Sequence, residues 1–130
     1  MNAFKKPLRV LLCVAGLAIA TSAYAAEVEE GLWKQTSTTA GDCADCMVTI
    51  TKLTPHIVRL EANNGWIGIA YYDREKDEYR GFLELTKMHS GTPEDWINKV
   101  FMIRLIMERM TLNLEGEAEN ISFSVTYRKQ

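Results

Sequence analysis

The chain has 130 residues, 47% hydrophobic and 25% charged, with 15 basic and 17 acidic side chains. That is the composition of one ordinary globular domain, and it excludes a disordered tail or a multidomain enzyme. The formal net charge is −2, and the basic residues are interleaved with acids, as in Asp73-Arg-Glu-Lys-Asp-Glu78. A phosphate-binding surface needs a basic stripe, so nucleic acid is not an expected partner.

The first 25 residues follow the export pattern. Lys5, Lys6 and Arg9 precede the apolar run from Val10 to Ala20, and Ala23-Tyr24-Ala25 places small residues where a signal peptidase reads them. The run is shorter than the roughly 20 residues needed to cross a bilayer, so cleavage after Ala25 is expected rather than a retained anchor. Cys13 then belongs to the signal core. The working molecule would be residues 26–130, in the periplasm or outside the cell. The 15 basic residues less Lys5, Lys6 and Arg9 leave 12 against 17 acids, net −5.

No repeat or proline-rich linker interrupts residues 26–130, which suffice for a single core. Leu32 to Ser37 reads as a first strand, followed by the turn-rich stretch Thr39 to Asp45 and the alternating Met47-Val-Thr-Ile-Thr51. His56 to Glu61 and Trp66 to Tyr72 flank Asn63-Asn64-Gly65, whose Asn-Gly pair tolerates the positive φ of a tight hairpin turn. A charged turn leads to Tyr79-Arg-Gly-Phe-Leu-Glu-Leu85, in which Tyr79, Gly81, Leu83 and Leu85 share one face. Gly68 and Gly81 are candidate points of sharp strand bending. A second hairpin is expected from Met110 to Leu114 and from Ile121 to Tyr127.

Thr92-Pro93-Glu94-Asp95 carries helix-start signals: a capping hydroxyl, proline at the first helical position and acids at the positive end of the dipole. Downstream, Trp96, Val100, Ile103, Met107 and Met110 step as a helix would, while Phe101, Ile103, Leu105 and Met107 alternate as a strand would. A short α-helix over about 93–100 followed by a long strand is preferred to one helix reaching about 108. No glycine or proline separates Met107 from the strand at Met110.

Cys43 and Cys46 are the two cysteines outside the leader, and a disulfide between them is expected in an oxidising compartment. A redox-active Cys-x-x-Cys normally opens a helix, whose dipole lowers the thiol pKa. Here the β-branched run Val48-Thr-Ile-Thr51 follows, and Asp42 and Asp45 each directly precede a cysteine of the pair, so a structural staple is the leading reading and a thiol oxidoreductase the alternative. A zinc site needs about four ligands, and His56 and His89 stand at spacings that match no standard finger. His56 falls in step with Val58 and Leu60 and reads as a half-buried strand residue. A copper or haem site through Met107, Met110 and His89 is a weaker reading. No cofactor is expected.

The remaining candidates are aromatic. Trp66, Tyr71, Tyr72, Tyr79 and Phe82 could line a ligand cavity or a recognition surface, since both uses favour a large ring, often with a polar handle. Trp66 and Tyr72 fall on one strand face while Ile67, Ile69 and Tyr71 fall on the other. A hairpin apolar on both faces should be covered twice, once by its own core and once by a further element or a partner.

Gly31-Leu-Trp33 in a first strand, followed by hairpin-joined antiparallel strands, resembles the small lipocalin-type barrels in general architecture. Exported β-barrel inhibitors of secreted proteases share the size and a Gly-x-Trp followed by an early cysteine, although here the second cysteine comes only three residues later. The expected fold is mainly β, a small antiparallel barrel or strongly twisted meander. The expected function is a non-enzymatic binding domain, holding a small apolar ligand inside or another exported protein outside. An inhibitor of a secreted hydrolase is an alternative, and a homodimer is compatible with the two-faced hairpin.

Overall fold

The computed structural model describes residues 28–40, 43, 45–86 and 93–130. The expected leader, His89 and Thr92 lie outside the described residues. Eight strands follow one another: β1 (Gly31–Thr38), β2 (Met47–Thr54), β3 (Ile57–Ala62), β4 (Trp66–Asp73), β5 (Glu78–Leu85), β6 (Val100–Glu108), β7 (Thr111–Ala118) and β8 (Ile121–Lys129). Each pairs antiparallel with the next, and β8 closes onto β1. The barrel expected from the hairpin succession is therefore present, and closure leaves no sheet edge exposed.

Period-two alternation decides what fills it. Trp33, Val48, Ile50, Leu60, Phe101, Ile103, Leu105, Leu112 and Leu114 are almost wholly buried inside. An eight-stranded barrel has an interior wide enough for side chains or for one small ligand, and these residues line it. One end is plugged by aromatic rings. Trp96 packs on Phe101 at 5.5 Å and on Phe123 at 5.7 Å between centroids, and Phe101 meets Phe123 edge-on at 5.3 Å. Towards the start of β1, Val28 is fully buried and the Trp33 indole N–H donates to the Glu29 carbonyl at 3.0 Å.

Two glycines let the wall bend. A Cβ on Gly81 would run into the Ile69 carbonyl oxygen and the Ala70 Cα of the paired strand, and one on Gly116 would occupy the space of the Phe123 ring. The Asn63-Asn64-Gly65 hairpin forms where its turn residues place it, with Gly65 at φ 97°.

The expected α-helix over 93–100 does not form. Glu94–Trp96 make one 3₁₀ turn between extended Pro93 (ψ 134°) and extended Ile97 (ψ 135°), and Asn98 then takes a left-handed φ of 62°. From Val100 the chain is β6. Packing overrides the local start signals: Phe101, Ile103 and Leu105 face inward only as a strand, and without β6 there would be no bridge between β5 and β7. His56 also departs from expectation. It lies exposed in the turn before β3, and its carbonyl accepts a hydrogen bond from the Tyr72 amide at 2.8 Å.

Candidate functional site

The five aromatic candidates fall on opposite sides of the wall. Trp66 and Tyr79 are buried inside. Tyr72 lies on the same inner face, half-buried, with its ring 5.4 Å from that of Tyr79 and its hydroxyl donating to Asp77 at 2.6 Å. That hydrogen bond to a carboxylate favours the neutral phenol, and the Tyr72 pKa is pushed up to about 12. Tyr127, also inside, is raised by burial alone. Tyr71 and Phe82 point outward, 53% and 51% exposed.

The strand register shows what surrounds the outward pair. Tyr71 pairs with Arg80, which pairs with Arg104, which pairs with Glu115, which pairs with Ser124, one continuous row across five strands. The neighbouring row runs Ile69, Phe82, Met102, Glu117, Ser122, and the one beyond it Ile67, Glu84, Val100. Ile67, Ile69, Tyr71, Phe82, Val100 and Met102 thus form one exposed apolar strip on the outer faces of β4, β5 and β6, with Met102 the most open at 66%. Towards β8 the first two rows border an open groove of about 620 Å3, with Tyr71, Phe82 and Met102 at one side and Glu115, Glu117 and Ser124 at the other.

A charge network holds this face in shape. Glu78 begins β5 on the outward side yet is only 5% exposed, because two guanidinium groups cover it. Arg104 donates to it from Nη2 at 2.8 Å and from Nε at 3.1 Å, and Arg80 Nε donates at 2.8 Å. Arg104 also reaches Glu115 at 3.1 Å through Nη1. The hydrogen bonds from Arg104, joined by those from Arg80, hold the Glu78 carboxyl below the usual range against the opposing effect of burial. Glu78 in turn raises the Arg104 pKa.

The sequence run Asp73 to Glu78 reads as a solvated turn, which holds for the exposed residues 74–77 but not for Glu78. Alternation places Glu78 outward, in phase with Arg80, Phe82 and Glu84, but its cover by Arg104 follows only from the register of β5 on β6. Val100 and Met102 were equally missed as surface residues because the helix-or-strand ambiguity concealed which way they point.

Cys43 and Cys46 form the expected disulfide, with Cα atoms 5.4 Å apart. Cys46 is buried and leads straight into β2, not into a helix. The loop is tied to the β3–β4 turn by the Asn63 side chain, whose Nδ2 donates to the Asp45 carbonyl at 2.8 Å while its Oδ1 accepts from the Met47 backbone N–H at 2.9 Å. Met107 packs against the core whereas Met110 is exposed in the β6–β7 turn. Among the described residues no group of three or more His, Cys, Asp or Glu could hold a metal ion.

Comparison with protein-family models, with curated proteins and with solved structures finds no match.

Proposed function

We propose that this chain is an exported, non-enzymatic binding domain that docks a protein on the outer face of β4, β5 and β6. The observation that carries the reading is a contiguous apolar strip on the outside of a barrel whose interior is already lined by its own apolar set, Trp33, Phe101 and the Leu/Ile layers. The largest contiguous apolar patch on a monomer is often a functional contact surface. Tyr71 and Phe82 supply rigid rings of the kind that anchor protein contacts, and the Glu78–Arg104–Glu115 network fixes the polar rim beside them. Export is supported by the leader pattern and by the disulfide. The position of Cys46 at the mouth of a strand supports a staple over a redox dithiol.

Native mass spectrometry of the protein expressed from its full sequence tests this, with Phe82→Glu as the matched variant. The expected result is a bound protein chain carried by the wild type and lost from a Phe82→Glu variant of equal Tm. A retained small apolar ligand, or binding indifferent to Phe82→Glu, would overturn the reading. If the bound chain is a hydrolase, its inhibition can be assayed directly with the same pair.

A further inference from the structure

We infer that the partner on this face is a second copy of the same chain, docked face to face about a two-fold axis that runs across the strands along the row Ile69, Phe82, Met102. The inference rests on the docking reading above and adds the identity of the partner.

The order of outward residues makes the face self-complementary. Along β5 it reads Arg80, Phe82, Glu84, and the register places Tyr71 and Arg104 beside Arg80, and Ile67 and Val100 beside Glu84. A two-fold axis along the middle row reverses the strand direction of the second copy. Phe82 then meets Phe82, Tyr71 covers Ile67, Arg104 lies over Val100, and Arg80 of each protomer faces Glu84 of the other, twice over. The other symmetric arrangement, with the axis along β5, stacks Arg80 on Arg80 and Glu84 on Glu84, and like charges brought together at an interface are costly. Arg80 donates Nε to Glu78, and a guanidinium carries five N–H donors, so pairing within the protomer and across the interface are compatible.

The area is of the right order. Each of the six strip residues is about half exposed, so with 150–250 Å2 on an aromatic side chain the strip offers on the order of 600 Å2 per protomer. A standard interface takes about 800 Å2 per partner, and the flanking Arg80, Glu84 and Arg104 extend the strip towards that figure. Isologous contacts of this kind close on themselves as dimers.

Sedimentation velocity on the protein expressed from its full sequence, from about 1 to 100 μM, is the test. The expected result is a monomer–dimer equilibrium that Phe82→Glu and Glu84→Arg each weaken at least tenfold, with Tm unchanged at dilutions where the wild type is monomeric. Cysteine pairing fixes the axis. Phe82→Cys, on the axis, should crosslink to itself under mild oxidation, while Glu84→Cys and Arg80→Cys should each fail alone and crosslink when mixed. Glu84→Arg that strengthens the dimer, or Glu84→Cys that links to itself, overturns the arrangement. A monomer at every concentration overturns self-docking. The docking reading then stands only if the wild type, and not Phe82→Glu, carries a different protein in the native mass spectrum, so the two failures are told apart.

Discussion

Strands β4, β5 and β6 carry large apolar side chains on both faces, and the two faces of the same wall differ in how they are completed. Inside, Trp66, Tyr79, Leu83, Phe101 and Ile103 interlock with side chains from the other strands and are almost free of water. Outside, Ile69, Phe82 and Met102 stand in an equally regular row and are about half or more open to solvent. The contrast teaches that alternation alone does not separate a core from a contact surface. What separates them is closure of the barrel, which supplies partners to one face only.

The most damaging way to break that comparison is to thicken the wall itself. Gly81→Ala would push a methyl group into the Ile69 carbonyl and the Ala70 Cα, backbone that cannot move without opening the β4–β5 ladder. A cost of roughly 4 kcal/mol or more is expected, a large part of a small domain's 5–15 kcal/mol. Urea unfolding checks it, and a wild-type midpoint for Gly81→Ala would contradict the close approach.

Next comes a matched pair, one phenylalanine from each face. Phe101→Ala removes a ring that is fully buried against Trp96 and Phe123, and should lower stability by about 3–5 kcal/mol. Phe82→Ala should change the monomer's stability by less than about 1 kcal/mol while weakening association. Equal losses in the two variants, measured by denaturant titration at low protein concentration, would erase the distinction between the faces.

The outer face also has a pH signature of its own. Glu78 has a folded pKa below the ordinary value of about 4.3, so its stabilisation is complete above that value and drains away as pH falls through the folded pKa. Glu78→Gln should cost roughly 1–3 kcal/mol at pH 7, by loss of charge-assisted hydrogen bonds. The gap between variant and wild type should close at strongly acidic pH. A gap of the same size at pH 2 and pH 7 would show that Glu78 acts by shape and not by charge.

Smaller effects belong to the loops. Cys43→Ser should lower stability by about 2 kcal/mol, since so short a ring removes little freedom from the unfolded chain. Asp77→Asn should bring Tyr72, raised to about 12 by that carboxylate, back towards the ordinary value of about 10, as read by following the Tyr72 ring in an alkaline NMR titration.

Much of this fold was legible in the sequence because β structure writes its burial in period two. The Asn63-Asn64-Gly65 turn, the shared inner face of Tyr79, Gly81, Leu83 and Leu85, and the opposite facings of Trp66 and Tyr71 are all local patterns. Residues 100–108 were harder, because an apolar stretch that reads Val-Phe-Met-Ile-Arg-Leu-Ile-Met satisfies the helical and the strand period together. Only the neighbours β5 and β7 decide between them. The site was half legible for a related reason. Tyr71 and Phe82 could be singled out as large rings, but the union of Phe82 with Met102, and the cover of Glu78 by Arg104, depend on the register of β5 on β6 across 20 and 26 residues of sequence.

The central claim, that the outer face of β4 to β6 is covered by a second copy of the chain, can be measured with two methionines of the molecule. Met102 sits on the strip and Met110 in the β6–β7 turn, 66% and 53% exposed in the single chain, with about 20 Å of β6 between Met102 and the turn. Peroxide converts accessible methionine to sulfoxide, and peptide mass spectrometry reads the two sites separately. The account predicts that at high protein concentration Met102 is oxidised several-fold more slowly than Met110, and that dilution or Phe82→Glu restores equal rates. Oxidation of Met102 as fast as Met110 at every concentration would contradict it.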